Sequence, residues 1–176
     1  FVYLVPPSLS FCALRVLLPP PLHQLFRDMI LPMDEFMQAA IEEARLGLAE
    51  GGIPVGSVLV HHGRIIGRGR NRRVQHNDPT AHAEIDCLRN AGRIGSYKDT
   101  VIYSTLMPCA MCAGATAQLR ITKVIAGENR TFASGTDILV MRGVTVVDLD
   151  LDECVQMLKE FAERYPEIWA EDIGEV

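Results

Sequence analysis

Two short motifs in the middle of the chain restrict how it can fold. The triplet His82-Ala83-Glu84 supplies an imidazole and a carboxylate, and the later stretch Pro108-Cys109-Ala110-Met111-Cys112 supplies two thiols. Thiolate sulfur and neutral imidazole nitrogen form a ligand set that suits zinc. We predict that His82, Cys109 and Cys112 hold a Zn²⁺ ion, so the fold has to bring the two motifs together.

Glu84 is left over from this ligand set and is the predicted catalytic residue. Zinc with three protein ligands keeps its fourth position open for water, whereas a structural zinc site is closed by a fourth protein ligand. A carboxylate beside that position can take a proton from water and later deliver protons to a ring nitrogen and to departing ammonia. The H-x-E and P-C-x-x-C motifs in this order are the signature of zinc-dependent nucleobase deaminases. The sequence therefore predicts hydrolytic deamination of an aminated heterocycle.

Both motifs are predicted to lie at the starts of helices, over residues 81–90 and 110–119. The partial positive charge at a helix N-terminus favours the thiolate form of cysteine. His82 and Glu84 are two residues apart, so a regular helix would not direct both side chains at one ion. An irregular first turn is therefore expected there.

Two other interpretations of the C-x-x-C pair are a redox pair and a structural zinc site. A redox pair is expected in a thioredoxin-like context and would leave His82 without a role. A structural site needs a fourth ligand, and Cys87, on a predicted helix with apolar neighbours, is expected to pack in the core instead. His61-His62-Gly63 is expected to be a solvated hairpin turn. The remaining cysteines and histidines are Cys12, Cys87, Cys154, His23, His61, His62 and His76.

Composition indicates one globular domain with small-molecule chemistry. The chain has 176 residues, 48% of them hydrophobic, and a formal net charge of −5. Because nucleic-acid affinity depends on cationic contacts, we expect no stable nucleic-acid binding. A short basic cluster, expected to be a solvated loop, consists of Arg68, Arg70, Arg72 and Arg73. Five cysteines, two of them assigned to metal, favour a reducing compartment, and we expect a cytoplasmic protein.

The N-terminal segment differs from the rest of the chain. Residues 1–28 begin with Phe1 and are interrupted by prolines and Arg15 before the apolar run reaches membrane-spanning length. No clear signal-peptide pattern is present either. We expect residues 1–28 to be an appended or poorly ordered leader, and residues 29–176 to form the deaminase domain without membrane association.

The hydrophobic pattern after Met33 alternates between helix-like and strand-like segments. The order α-β-β-α-β-α-β-α-β-α predicts an α/β fold, a three-layer α/β/α sandwich with a central mixed sheet of about five strands. Strands are predicted at residues 57–60, 65–69, 101–104, 124–126 and 144–147, and the helices not yet named at residues 36–48, 137–141 and 152–164.

These motifs make the chain resemble the cytidine-deaminase-like superfamily. The region after Met33 is most similar to the fungal-type cytosine deaminases, which are small homodimeric zinc enzymes that convert cytosine to uracil and ammonia. The segments that carry this likeness outside the zinc motifs are Gly51-Gly52-Ile53-Pro54-Val55-Gly56, Gly67-Arg68-Gly69-Arg70-Asn71, Gly127-Glu128-Asn129 and the tail Trp169-Ala170-Glu171-Asp172-Ile173-Gly174-Glu175.

The resemblance also implies which residues bind the substrate. It assigns Asn71 to the polar edge of the ring, Asp172 to its amino side, and Phe132 and Trp169 to its faces. Backbone groups near Ala83 and Leu106 are implied to complete the contacts. The residues alone leave alternatives open: Asn71 as a turn residue, Trp169 as a packing aromatic, and Asp172 as a helix cap or salt-bridge partner.

Three positions depart from the fungal pattern. Ala83 stands where those enzymes carry glycine, Met107 where they carry a small hydroxyl residue, and Ala110 where they carry an acidic residue. Residues 77–84 look more like bacterial tRNA adenosine deaminases and guanine deaminases. The expected substrate is therefore cytosine or a close isomer such as isocytosine, with a tRNA adenosine or purine deaminase as the alternative. A non-catalytic zinc-stabilised module is a third hypothesis.

Overall fold

The computed structural model describes residues 34–132 and 134–175. The leader predicted at residues 1–28 lies outside the described residues, so its boundary with the 29–176 domain stays a prediction. Within the described part of the chain, no helix combines the length and the apolar character needed to cross a membrane.

A five-stranded mixed sheet forms the centre of the fold, in the spatial order β2-β1-β3-β4-β5. Strand β1 is antiparallel to both β2 and β3, whereas β3, β4 and β5 run parallel. This confirms the predicted mixed sheet. The strands are β1 (Gly56–His61), β2 (Arg64–Arg70), β3 (Thr100–Ser104), β4 (Lys123–Ala126) and β5 (Thr145–Asp148).

Seven helices of the described region accompany the sheet. Helices α2 and α7 are short and were not predicted as helices; α7 begins with Pro166, which is favourable in a first helical turn. The others match the predicted positions to within a few residues. The helices are α1 (Glu35–Ala49), α2 (Arg73–His76), α3 (Ala83–Ala91), α4 (Ala110–Gln118), α5 (Thr136–Met141), α6 (Asp152–Arg164) and α7 (Pro166–Ile173).

Alternation along β1 divides the core into two layers. Val58 and Val60 pack with Met37 and Ile41 of α1 on one face of the sheet. Leu59 packs on the other face with residues of α3, α4 and α5. Because successive strand residues point to opposite faces, one strand supports both cores. The predicted three-layer sandwich is confirmed.

Helix α3 lies unusually close to β2. A Cβ atom added at Gly69 would lie 2.6 Å from the carbonyl oxygen of Ala83 and closer still to the amide nitrogen of Cys87. Glycine therefore permits backbone-to-backbone approach at this point. The contact fixes the start of α3, with His82 and Glu84, against the sheet.

Candidate metal centre and active site

The two motifs meet because each occupies the start of a helix. His82 is the N-cap of α3, with φ −69° and ψ 160°, and Cys109 is the N-cap of α4, with φ −67° and ψ 172°. Both residues are therefore extended and lie just outside the regular helix. Glu84 and Cys112 lie in the first turns that follow. This geometry explains how His82 and Glu84 can face one site although they are two residues apart.

The three predicted ligands form one compact group. The ligand atoms of His82, Cys109 and Cys112 all lie within 4.8 Å of one another. The Nδ1 atom of His82 is 3.5 Å from the Sγ atom of Cys109. A nitrogen and a sulfur bound to one tetrahedral zinc ion are about 3.6 Å apart at usual bond lengths. These side chains therefore fit zinc in both chemistry and spacing.

The group lacks the fourth protein ligand of a structural site. Among residues 34–132 and 134–175, no further His, Cys, Asp or Glu belongs to this group. Cys87 and Cys154 are buried free thiols in the apolar clusters of the core. Cys12 and His23 lie outside the described residues. The arrangement leaves one coordination position for water or substrate, which is typical of catalytic zinc.

Glu84 lies directly beside these ligands and is almost fully buried, with 3% of its surface exposed. Its Oε1 atom accepts a hydrogen bond of 3.1 Å from the Ser104 hydroxyl at the end of β3. Burial raises the pKa of Glu84, and the nearby charge of Cys109 raises it further, while His82 opposes the shift. A carboxyl group with a raised pKa is suited to both accepting and donating protons near neutrality.

The pKa values of the two thiols are shifted in opposite directions. A hydrogen bond from Cys112 lowers the pKa of Cys109, and His82 adds to this effect. The same contact with Cys109, together with burial, raises the pKa of Cys112. Burial lowers the pKa of His82, but Cys109, Asp172 and Glu84 outweigh burial and raise it overall. One thiolate is therefore available before the metal arrives, and metal binding has to displace the remaining proton.

A small cavity lies beside the ligand group. Its volume is about 10 Å³, which is room for about one water molecule. Eight of the predicted site residues line it, and Val55 and Met107 complete the wall. The eight are Asn71, His82, Ala83, Glu84, Leu106, Cys109, Phe132 and Asp172.

Asp172 of α7 forms part of the cavity wall and takes part in a network of polar contacts. Its Oδ1 atom accepts hydrogen bonds from Asn71 Nδ2 at 3.0 Å and from Arg73 Nη1 at 3.1 Å. The same oxygen is 3.7 Å from His82 Nε2. Asn71 also accepts a hydrogen bond from the Arg73 amide, so it is both a turn residue and a member of the cavity wall. Asp172 is likewise both a salt-bridge partner and a wall residue.

The two predicted aromatic residues occupy different positions. Phe132 lines the cavity, whereas Trp169 is not among the lining residues. Trp169 contacts Phe132 edge to face, with ring centroids 6.2 Å apart and an interplanar angle of 85°. The structure therefore places Trp169 behind Phe132, in the apolar cluster with Leu158 and Phe161.

Sequence reasoning missed three residues that support the site. Ser104 donates to Glu84, and Arg73 fixes Asp172. Glu128 is fully buried, and its Oε2 atom accepts hydrogen bonds from the amides of Arg130 and Thr131, which precede Phe132. For Ser104 the available signal was a polar residue at the carboxyl end of a predicted strand. Glu128 lay in a segment that carried the family resemblance, and Arg73 was noted only as a member of the basic cluster.

The basic cluster is not the solvated loop that the sequence suggested. Its members form salt bridges with carboxylates of α1, α3 and α7, and three of the four side chains are at most 25% exposed. The pairs are Arg68–Glu42, Arg68–Glu43, Arg70–Glu43, Arg70–Glu50, Arg72–Glu50, Arg72–Asp86, Arg73–Glu171 and Arg73–Asp172. These arginines stabilise contacts between elements because each has acidic neighbours within reach.

Comparison with known proteins agrees with this site. The family described as the cytidine and deoxycytidylate deaminase zinc-binding region matches residues 32–128. A cytosine deaminase of Candida albicans is 39% identical over 142 residues, which cover 79% of this chain and 95% of that protein. A tRNA-specific adenosine deaminase of Buchnera aphidicola is 44% identical over 95 residues, covering 52% of this chain and 59% of that protein.

A solved structure gives the same fold. It comes from work on A-to-I editing by tRNA:A34 deaminases at the wobble position of transfer RNA, with a TM-score of 0.63 and 34% sequence identity. The match covers 70% of this chain and 99% of the other. Sequence, fold and ligand geometry thus lead to one assignment: the chain belongs to the family of zinc-binding cytidine and deoxycytidylate deaminases, hydrolytic enzymes that act on C–N bonds.

Proposed function

We propose that this protein deaminates a small free base, cytosine or a close isomer such as isocytosine, with zinc as its cofactor. The observation that carries the proposal is the small cavity beside the metal ligands, whose wall includes both Glu84 and Asp172 of α7. A base attached to an RNA chain needs an open path for its ribose and phosphate groups. A free base carries neither of these groups, so it needs a smaller opening.

The residues divide the reaction between them. His82, Cys109 and Cys112 would hold the zinc ion, which when bound would lower the pKa of a water molecule to about 7 and so supply a nucleophile at neutral pH. Glu84 takes a proton at its carboxylate and returns protons to the ring nitrogen and to the departing amino group. Ser104 holds the Glu84 carboxyl in place during these transfers. The net change is hydrolysis: a ring amino group is replaced by a carbonyl oxygen, and ammonia is released.

Asn71 and Asp172 are proposed to recognise the polar edge of the base. The Asn71 amide offers both a donor and an acceptor, and the Asp172 carboxylate accepts from the exocyclic amino group. Phe132 is proposed to pack on one face of the ring, with Trp169 supporting it from behind. Backbone groups near Ala83 and Leu106 complete the proposed contacts. A flat heterocycle is well served by apolar faces and a few polar groups at its rim.

The similarity to cytosine deaminase supports this substrate class. Because the Candida albicans alignment covers 79% of the chain, it extends beyond the zinc-binding region at residues 32–128. The recognition residues Phe132, Trp169 and Asp172 all follow that region. The tRNA-specific relative aligns over a shorter part, 52% of the chain.

A second candidate, deamination of adenosine in tRNA, is favoured by one observation. A second, larger cavity of about 550 Å³ shares no lining residue with the small one. It is lined by residues of α2, α7 and the loop at residues 77–79. Its cation, Arg73, is already paired with Glu171 and Asp172, and Asp78 and Glu171 add negative charge. Phosphate binding depends on available cations, so we propose that this cavity does not hold nucleic acid.

A substrate panel tests the proposal. Zinc-loaded protein is incubated with cytosine, 5-fluorocytosine, isocytosine, creatinine, guanine, cytidine and a tRNA bearing adenosine in its anticodon loop, and ammonia is measured. We expect turnover of cytosine or isocytosine and none of tRNA. Conversion of tRNA with the free bases untouched would overturn the proposal. No turnover of any substrate by fully zinc-loaded protein would favour a non-catalytic module.

We also propose that the protein is a homodimer located in the cytoplasm. Met111 of α4 and Val140 and Met141 of α5 are exposed apolar side chains, and these two helices contact each other. Exposed apolar surface of this kind marks protein–protein contact sites. The four described cysteines are free thiols, which suits a reducing compartment. Sedimentation of the wild type and of Met141→Glu tests the dimer, and the variant is expected to sediment as a monomer.

A further inference from the structure

A second cluster of metal-binding side chains lies at the opposite end of the sheet from the deaminase site. His61, His62 and Asp99 place a ligand atom each within 4.8 Å of one another. His61 pairs with Thr100 at the start of β3, whereas Ser104 at the other end of the same strand contacts Glu84. A strand of this length separates the two positions by about 13 Å.

The hairpin between β1 and β2 brings the two imidazoles together. His61 pairs with Arg64 across a two-residue loop, and both loop residues have positive φ, 48° at His62 and 72° at Gly63. Two such residues are the signature of a tight type I′ hairpin turn. Histidine is among the few residues besides glycine that occupy this region with some frequency. The turn sets the two rings 4.1 Å apart between centroids, at an interplanar angle of 33°.

Strand pairing then supplies the carboxylate. Because β1 and β3 are antiparallel and His61 faces Thr100, the next step of the register sets His62 beside Asp99. Asp99 follows a turn and is distant from the histidines in sequence, so its proximity depends on the sheet.

None of the three side chains is committed elsewhere in the described residues. Across residues 34–132 and 134–175, neither the imidazoles nor the Asp99 carboxylate has a hydrogen-bond or salt-bridge partner in the protein. The nearby side-chain hydrogen bonds involve Ser96, Tyr97 and Thr100 instead. His61 is half-buried and His62 and Asp99 are exposed, so an ion can reach them from solvent.

We propose that His61, His62 and Asp99 form a second metal site, selective for borderline divalent transition-metal ions such as Zn²⁺. Two imidazoles favour these ions over Mg²⁺ and Ca²⁺, which take oxygen ligands. The absence of thiolate makes this site weaker and more exchangeable than the one at Cys109 and Cys112. A bound ion ties the hairpin turn to the start of β3.

Metal titration of the full chain tests this site without using activity. Protein that already carries one equivalent of Zn²⁺ is titrated with further Zn²⁺ by calorimetry, while amide NMR spectra are followed. We expect a second equivalent to bind, with shifts concentrated at residues 61–63 and 99–100. If no second equivalent bound at about 1 mM free Zn²⁺, the proposal would be overturned.

Matched variants localise the second equivalent. His62→Asn removes a ligand but keeps a residue that tolerates positive φ, so the turn is retained. We expect His62→Asn and Asp99→Asn each to weaken the second equivalent by about tenfold or more. His76→Asn, which alters an exposed histidine outside the cluster, is expected to leave it unchanged. Unaltered binding in His62→Asn and Asp99→Asn would contradict the site, whatever the protein's substrate proves to be.

Discussion

The proposed active site has two halves that are built in different ways. The chemical half comprises His82, Glu84, Ser104, Cys109 and Cys112, which come from two helix starts and the end of a central strand. The proposed recognition half comprises Asn71, Arg73, Phe132, Trp169 and Asp172, which come from loops, from the start of α2 and from α7. The first half is set against the sheet by close backbone packing. The second is held together by polar contacts between distant segments.

This difference explains why the reaction is easier to assign than the substrate. Cys112 and Glu84 are almost inaccessible and have their partners within the same few elements. Asp172 is held by hydrogen bonds from Asn71 and Arg73, which belong to another segment of the chain. The neighbouring residue Glu171 also pairs with Arg73, and its side chain is 64% exposed. Contacts of the second kind can be altered by single substitutions without disturbing the metal ligands.

The largest effect is expected for Glu84→Gln in the chemical half. The change keeps the shape of the side chain and the three metal ligands but removes the group that carries protons. Turnover is expected to fall by about 10²–10⁴, while zinc content measured by mass spectrometry stays at the wild-type level.

A matched control for this change is Glu43→Gln, because Glu43 is also a buried carboxylate but pairs with Arg70 away from the site. It is expected to lower stability and to leave turnover intact. If Glu84→Gln retained more than about a tenth of wild-type turnover, the assignment of proton transfer to Glu84 would be wrong.

The recognition half is tested by Arg73→Gln. Losing the guanidinium removes a charge-assisted hydrogen bond to the buried Asp172, worth about 1.5–3 kcal/mol, and an exposed ion pair with Glu171, worth about 0.2–1 kcal/mol. The loss frees α7 from the cavity wall. We expect kcat/KM to fall by about 10–100-fold, mostly through KM, with zinc content unchanged.

Arg72→Gln is the matched control, since Arg72 pairs with Glu50 and Asp86 rather than with α7. Arg73→Lys is expected to recover part of the loss because it keeps the charge without the two-pronged geometry. An equal loss of kcat/KM in Arg72→Gln and Arg73→Gln would show that substrate recognition does not depend specifically on the contact between Arg73 and α7.

A smaller effect is expected for Ser104→Ala, which removes a hydrogen bond to the Glu84 carboxyl group and keeps Glu84 itself. The lost hydrogen bond stabilises the carboxylate, so its removal raises the pKa of Glu84 further. We expect kcat to fall by about tenfold, and the acidic limb of the pH–rate profile to move to higher pH.

Ser57→Ala provides the comparison, because Ser57 is equally buried in the neighbouring strand and donates to the carbonyl of Tyr103. It is expected to cost stability without moving the pH profile. A Ser104→Ala profile that overlays the wild type would contradict the proposed role of the hydroxyl.

The smallest effect is expected outside both halves, at Glu50. The hydrogen bond from Arg70 lowers the pKa of Glu50 from its ordinary value of 4.5. A lowered folded-state pKa gives stability that is present above the unfolded value and is lost as pH falls through the folded one. Because Glu50 is 39% exposed, solvent screening limits the contribution to about 0.2–1 kcal/mol.

Thermal unfolding as a function of pH measures this contribution of Glu50 to the free energy of unfolding. Glu50→Gln is expected to lower stability near neutral pH and to match the wild type at pH values well below 4.5. Glu163→Gln, on an exposed position of α6, is expected to behave like the wild type throughout. A deficit in Glu50→Gln that persists unchanged in acid would show that it does not arise from the ion pair.

Much of this architecture could be predicted from the sequence because the relevant signals are local. The spacing of Cys109 and Cys112 and the apolar periodicity of residues 152–164 each lie within one element, and both agree with the structure. Helix α7 was not predicted as a helix, although it begins with Pro166, which is favourable in a first helical turn. Its partnership with Asn71 could not be inferred from spacing, since the contact spans 101 positions.

The basic cluster shows the same limit in electrostatic terms. Four arginines in six positions indicate a positive surface only if no carboxylates lie nearby. The acidic partners Glu43, Glu50 and Asp86 come from helices on either side in sequence. Folding turns an apparent patch of one sign into a set of neutral pairs.

The contact between Asn71 and Asp172 has a bearing on how the protein is made. During translation, the metal ligands emerge from the ribosome well before α7, so a growing chain can acquire its ion while one wall of the pocket is still unsynthesised. A chain that ends between Cys112 and Asp172 would keep the three candidate metal ligands and lack the carboxylate proposed to recognise the base.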